Sequence, residues 1–404
     1  MKRDLHKHIH GTDESSRVTS LELFFDLVFV FAITQVTALM SHDPTWSGAL
    51  HGLMVLGLLW FGWTAFAWLG NQAKADEGLL RSGLVIAMAA MFAVGLAIPE
   101  AFHDLHGGLA APLVFVAGFV VGRMVHLGVY FVAAGDDDGL RRQLLRTAVP
   151  VGIWAVLLLA GALAGESLRV VLWAVALLVD YVGIFTTSRA GGWRLPAPAH
   201  FAERHGLIII IAIGESIVAT GVAGVSAPIS WALLTAVLLG LAISVALWWT
   251  YFDVVAPVAE RVLTRATGQE RARLARDSYT YLHFPMVVGI VFLALGMKTV
   301  VSYVADTGHH GLGDSLPTVP LVAMYGGVAL YLIAHVCFRL RNIHSVNKQR
   351  VVVAGLLVVL LPVAAHLPAL VAVGVLAALL IGLIAYEAIR FAESRDSIRH
   401  AAHD

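Results

Sequence analysis

The stretch Leu21–Met40, LELFFDLVFVFAITQVTALM, decides the reading of the fold. It has the length at which an apolar helix crosses a bilayer, about 20 residues, yet it carries Glu22 and Asp26 in its opening turns. Positions three and four apart stack on one face of a helix. Glu22, Asp26, Val30, Ile33 and Thr37 therefore form one stripe, polar at its start, apolar further in and closed by a hydroxyl. Phe24, Phe25, Val28, Phe31 and Ala32 spread around the rest and suit packing against other helices or lipid. Acids inside a span cost about 2.5–3.5 kcal/mol each on insertion scales, so they mark a bundle interior or a water path.

The rest of the chain has the same character. Hydrophobic residues make up 59% of it and charged residues 13%, with a mean hydropathy of +0.81, whereas a soluble domain is roughly 25% charged. This composition predicts an all-α integral membrane protein with membrane lipids around it. Lys plus Arg and Asp plus Glu are equal at 27 each, so net charge by itself says nothing about nucleic acid; for a chain of membrane spans no nucleic-acid partner is expected. The single cysteine, Cys337, excludes an internal disulfide and a multi-cysteine metal site. Residues 1–19 are polar and lack the apolar core of a removable signal peptide, so the first span is expected to stay uncleaved.

Apolar runs of bilayer length, about 17–25 residues, recur twelve times. They lie near 20–40, 49–70, 79–99, 109–133, 145–164, 167–188, 205–225, 229–252, 281–304, 318–338, 350–366 and 369–391. Of the 27 Lys and Arg, all but Arg123, Arg169 and Lys298 fall on one side of a twelve-span arrangement. Basic residues in short loops stay cytoplasmic, which places both termini on the cytoplasmic side of the inner membrane.

Two blocks carry a resemblance. Arg17-Val18-Thr19-Ser20-Leu21-Glu22-Leu23-Phe24-Phe25-Asp26 through Ala32-Ile33-Thr34-Gln35 resembles the opening signature of the low temperature requirement protein A (LtrA) family of bacterial multipass membrane proteins. His200-Phe201-Ala202-Glu203-Arg204-His205-Gly206-Leu207 through Ile213-Gly214-Glu215-Ser216-Ile217-Val218 resembles that family's second signature. The resemblance implies a multipass helical architecture and almost no chemistry, because the family's name records a growth phenotype. Phe24 to Thr34 is also similar to the Phe-Ser-Asp first-helix motif of the endosomal and lysosomal potassium channels, which are built of six-helix units. That likeness implies that Asp26 matches the motif acid and Ile33 or a stripe neighbour the pore constriction. Phe25 stands where those channels have serine, Leu27 where they have a small residue, and span seven has Arg204-His205-Gly206 with no Asp.

A shift of about 180 to 210 residues lays the chain on itself. Ala32-Ile33-Thr34-Gln35 meets Ala212-Ile213-Gly214-Glu215, Trp63-Thr64-Ala65-Phe66 meets Trp249-Thr250-Tyr251-Phe252, and Gly118 to His126 repeats the spacing of Gly327 to His335. Asp180-Tyr181 in span six faces Tyr386-Glu387 in span twelve. These matches predict two parallel six-helix repeats, since six is even. They cover 20–188 and 205–391, joined by a loop at 189–204 and flanked by tails at 1–19 and 392–404.

Function must come from the polar groups inside the spans. Glu22, Asp26, Ile33, Gln35 and Thr37 on span one, Arg123 and His126 on span four, Asp180 on span six, Glu215 on span seven and His335 on span ten are the transport or pore candidates. Glu215, beside Gly214, reads as a proton or cation site, or as a structural carboxyl bonded to a serine or to Arg123. Arg123 has three acids to neutralise: Glu215, Asp26 or Asp180. Asp26 lines a path or meets Arg17 or Arg81 near the cytoplasmic face. His126 and His335 read first as hydrogen-bonded core histidines, and Lys298 as a side chain snorkelling to the outer surface. Tryptophans at 60, 63, 68, 248 and 249 read as an aromatic belt. No nucleophile elbow, phosphate loop or dinucleotide fingerprint occurs, so no catalytic residue, cofactor or metal site is expected. Two functions remain: a channel or secondary transporter for a small ion or solute, proton-coupled and homo-oligomeric as further options, and an intramembrane enzyme or lipid-associated factor supporting growth in the cold.

Overall fold

The computed structural model describes residues 12, 14, 16–76, 78–105, 107–225 and 227–390. Among them the regular structure is helical. The order is α1 (Ser20–His42), α2 (Trp46–Gly70), α3 (Gly78–Ala97), α4 (Ala111–Ala133), α5 (Asp138–Leu163), α6 (Glu166–Arg189), α7 (Pro198–Val225) and α8 (Trp231–Phe252). Then follow α9 (Val255–Arg265), α10 (Gly268–Leu274), α11 (His283–Ala305), α12 (Thr318–Ile343), α13 (Lys348–Ala364) and α14 (Ala369–Arg390). Among the described residues, eleven helical stretches are long and apolar enough to cross a membrane. The expected span at 350–366 is present as α13, but at 17 residues it falls short of that length. Such a helix extends only about 26 Å at 1.5 Å per residue, against a hydrocarbon core of about 30 Å.

Two boundaries differ instructively from the apolar runs. α7 begins at Pro198, ahead of the run at 205, because Pro is pre-organised for a first helical turn and because His200 and Arg204 are buried rather than solvated. The loop after span eight holds α9 and α10, and Ala275–Tyr281 winds as a π-helix into α11. Elsewhere the ends obey simple capping. Asp137 accepts from the Leu140 N–H at 3.0 Å, Ser230 from Leu233 at 3.2 Å and Asn347 from Arg350 at 3.3 Å. Arg169, the lone basic residue expected on the far side, is spent on four carbonyls: Ala101, Phe102, Gly161 and Ala164, at 2.8–3.2 Å.

The chain divides into two compact units. The first takes in the described residues up to Leu39, Leu50–Arg204 and Ala266–Ala275. Within it α3 packs on α4 and α5 on α6, through small residues. A Cβ on Gly118 would lie 2.7 Å from the Ala90 carbonyl oxygen, and one on Gly183 would lie 2.4 Å from Pro150. The second unit takes in Met40–Ala49, His205–Arg265 and the described residues from Arg276 on. Its closest pair is α11 and α12, where a Cβ on Gly289 would meet the Gly327 oxygen at 2.4 Å and one on Gly327 the Gly289 oxygen at 2.6 Å. Membrane helices associate through such small residues because lipid supplies no hydrophobic drive between them.

Candidate functional site

Glu22 and Asp26 lie four apart at the start of α1, and His200 and Arg204 lie four apart at the start of α7, so each helix presents its pair on one face. Thr19 opens α1 with a reciprocal cap. Its N–H and hydroxyl donate to Glu22 Oε2 at 2.9 and 3.0 Å, and the Glu22 N–H donates to Thr19 Oγ1 at 3.3 Å. The two helix starts meet in the first unit. Arg204 Nη1 donates to Glu22 Oε1 and Nη2 to Asp26 Oδ1, both at 2.7 Å. His200 Nε2 stands 3.0 Å from Glu22 Oε2, and the Trp63 indole N–H of α2 donates to Asp26 Oδ1 at 2.8 Å. The Arg204 guanidinium also lies 5.6 Å from the centroid of the Trp63 ring.

All four ionisable side chains are at most 2% exposed. Desolvating a charge costs several kcal/mol, which paired geometry of this quality offsets. The pairing is nevertheless incomplete: Asp26 Oδ2, His200 Nδ1 and Arg204 Nε have no hydrogen-bond partner among the described residues. Against the cluster lies a polar cavity of about 330 Å³, bordered by Glu22, His200, Arg17, Lys74, Asp76 and the hydroxyl residues Thr12, Ser16 and Thr19. Gly70 completes its wall. A Cβ there would sit 2.5 Å from Glu22 Oε1, so a side chain would push into the carboxylate that Arg204 holds.

Arg123 settles on one of its three possible acids. Its Nη2 donates to Asp180 Oδ1 at 2.8 Å and its Nη1 to the Phe61 carbonyl at 3.0 Å, with the Trp154 ring 5.8 Å away. His126, on the same face of α4, packs between the rings of Phe66 and Tyr130, each 5.5 Å off. In the second unit Arg350 is also buried. It grips Glu387 with two bonds of 2.9 and 2.7 Å, and its Nη1 reaches the Thr250 carbonyl at 3.0 Å and His335 Nδ1 at 2.7 Å. Glu215, 2% exposed, lies within electrostatic reach of Lys298, whose ammonium donates to Ser41 Oγ at 2.7 Å. Ile33 and Thr37 are 3% and 1% exposed, the Thr37 hydroxyl donating to the Ile33 carbonyl at 3.3 Å, and Gln35 is half-buried.

The family model described as bacterial low temperature requirement A protein (LtrA) matches residues 17–385. The chain belongs to the LtrA family. A relative, the uncharacterized protein RA0937 of Rhizobium meliloti (strain 1021), is 28% identical over 340 residues, which covers 80% of this chain and 76% of the relative. No solved structure matches, so the likeness to potassium channels rests on the first-helix residues alone. The two LtrA signature blocks are the segments that supply the cluster: the first brings Glu22 and Asp26, the second His200 and Arg204.

The structure corrects several single-residue expectations within this LtrA chain. The partner of Asp26 is Arg204, neither Arg17 nor Arg81. Arg204 and Arg350 had counted among cytoplasmic loop bases, yet both are buried ion-pair members. Trp63 is a donor to Asp26 and 1% exposed, not part of an interfacial belt. The missed signals were present as spacings: Thr-x-x-Glu at 19–22 is a capping box, and Glu-x-x-x-Asp with His-x-x-x-Arg are complementary pairs at helix spacing.

Proposed function

We propose that this LtrA protein is a secondary transporter for a small ion or solute, with the Glu22–Asp26–His200–Arg204 cluster as its proton-handling centre. One observation carries the reading: four ionisable groups, all buried, form one cluster, and two of them, Glu22 and His200, border a polar cavity large enough for a small solute. Ionisable side chains within membrane spans mark substrate and ion pathways. A carrier suits the packing better than a standing channel, since Ile33 and Thr37 are closed over. The six-helix repeats belong to this proposal. They are supported by the parallel between Arg123–Asp180 with the Phe61 carbonyl and Arg350–Glu387 with the Thr250 carbonyl, each inside its own unit. So do the inner-membrane location and cytoplasmic termini, on the charge distribution above. The test is flux from purified protein in liposomes, screened against protons, potassium, sodium and organic anions with and without a pH gradient. Glu22→Gln is expected to abolish pH-driven flux. A flat screen for the unaltered protein overturns transport and favours the lipid-associated reading.

A further inference from the structure

The cluster has an unequal charge ledger. Glu22 and Asp26 contribute two carboxylates and Arg204 one guanidinium, which leaves one negative charge in a site at most 2% exposed. Burying a net charge is far costlier than burying a neutral set, so one proton belongs to the cluster. Two acceptor atoms are open to it. Asp26 Oδ2 is one, since Arg204 and Trp63 both engage Oδ1. His200 Nδ1 is the other. Glu22, ionised beside Arg204, accepts from Nε2, so that nitrogen carries its hydrogen and only Nδ1 is left to take a proton.

The two positions differ in what they face. Asp26 is not among the residues bordering the cavity, whereas His200 is. Glu22 presents little acceptor capacity there, because Arg204, His200 and Thr19 occupy it. Among the charged groups of the described lining residues this leaves Arg17 and Lys74 against Asp76. The volume of about 330 Å³ equals roughly ten waters at ~30 Å³ each.

Building on the proposed transport reading, we infer that this cavity binds a small soluble oxyanion, carboxylate or phosphate, together with one proton on His200. Arg17 offers a planar fork and Lys74 a point charge to the oxyanion. Its negative charge is balanced by one proton taken up from solution at His200 Nδ1, which then becomes an N–H donor, while the cluster's own proton stays on Asp26 Oδ2. The groups bearing on His200 are Glu22, Asp26, Arg204, Arg17, Lys74 and Asp76.

The experiment is titration calorimetry of the full chain in neutral-lipid nanodiscs with acetate, lactate and inorganic phosphate. Runs at pH 7.5 in two buffers of different ionisation enthalpy count the protons. Saturable binding of at least one anion with net proton uptake is expected. Lys74→Met should weaken it about tenfold, the size of one charge-assisted contact, and His200→Gln should bind without taking up a proton. Thermal unfolding of both variants confirms that they fold. Absence of saturable binding by all three anions in the unaltered protein overturns the inference, as does proton uptake undiminished in His200→Gln. Displacement of the bound anion by phosphatidylglycerol in the nanodisc assigns the site to a lipid headgroup and overturns the soluble ligand. Binding at equilibrium needs no turnover, so a protein that binds with its proton but shows no flux removes the transport reading alone.

Discussion

Arg204 shows how much one residue decides at the smallest scale. It neutralises an acid on each side, and its removal leaves Glu22 and Asp26 buried and uncompensated. Breaking a buried pair in this way costs about 3–5 kcal/mol. Arg204→Leu is therefore expected to lower stability in detergent by that amount or to prevent accumulation of folded protein. A loss below about 1 kcal/mol in a denaturant titration would mean that the cluster is hydrated. Gly70→Ala acts on the same carboxylate from the other side, because its Cβ would stand 2.5 Å from Glu22 Oε1. A destabilisation of about 1–3 kcal/mol is expected from overpacking, whereas Gly355→Ala, where nothing lies within 4 Å, should be neutral or slightly stabilising.

Helix ends and helix contacts carry the next level. Asp137 caps α5, and the Leu140 N–H beside it holds its carboxyl below the usual carboxylate range. Its folded value is thus lower than its unfolded value of about 3.9. The cap's contribution is complete above pH 4 or so and is lost as pH falls through the lower folded value. Asp137→Ala should cost about 1 kcal/mol at pH 7, and the gap between variant and parent should close in acid. An equal gap at pH 7 and pH 2.5 in thermal unfolding would refute that assignment. On the α11–α12 contact, Gly289→Leu has no room against Gly327 and Tyr331. It should destabilise the protein by more than the 1–3 kcal/mol of ordinary overpacking, since backbone rather than flexible side chain stands in its way.

At the scale of the whole molecule, each compact unit holds its own buried arginine: Arg123 bonded to Asp180 on α6 and to the Phe61 carbonyl on α2, and Arg350 bonded to Glu387 on α14 and to the Thr250 carbonyl on α8. If the two pairs serve their units separately, Arg123→Met and Arg350→Met should each destabilise, and the double variant should show the sum within about 0.5 kcal/mol. A deviation of more than 1 kcal/mol would tie the pairs into one network.

Membership of a helical membrane class was readable from composition and apolar run length alone, because a bilayer forces every spanning backbone group to be satisfied within its own helix. The span positions followed, and so did the importance of Glu22 and Asp26, since an acid in an apolar run has no inexpensive place to go. The tertiary structure alone decided which base answers which acid. Arg204 looked like a loop residue while α7 was assumed to start at 205, and moving the helix start to Pro198 turned His200 and Arg204 inward onto Glu22 and Asp26. Arg123 had three acids within sequence reach and met Asp180. Hydropathy records how strongly a residue resists leaving water, but a buried charge is tolerated only where a partner lies within about 3 Å, and that distance is set by how helices pack.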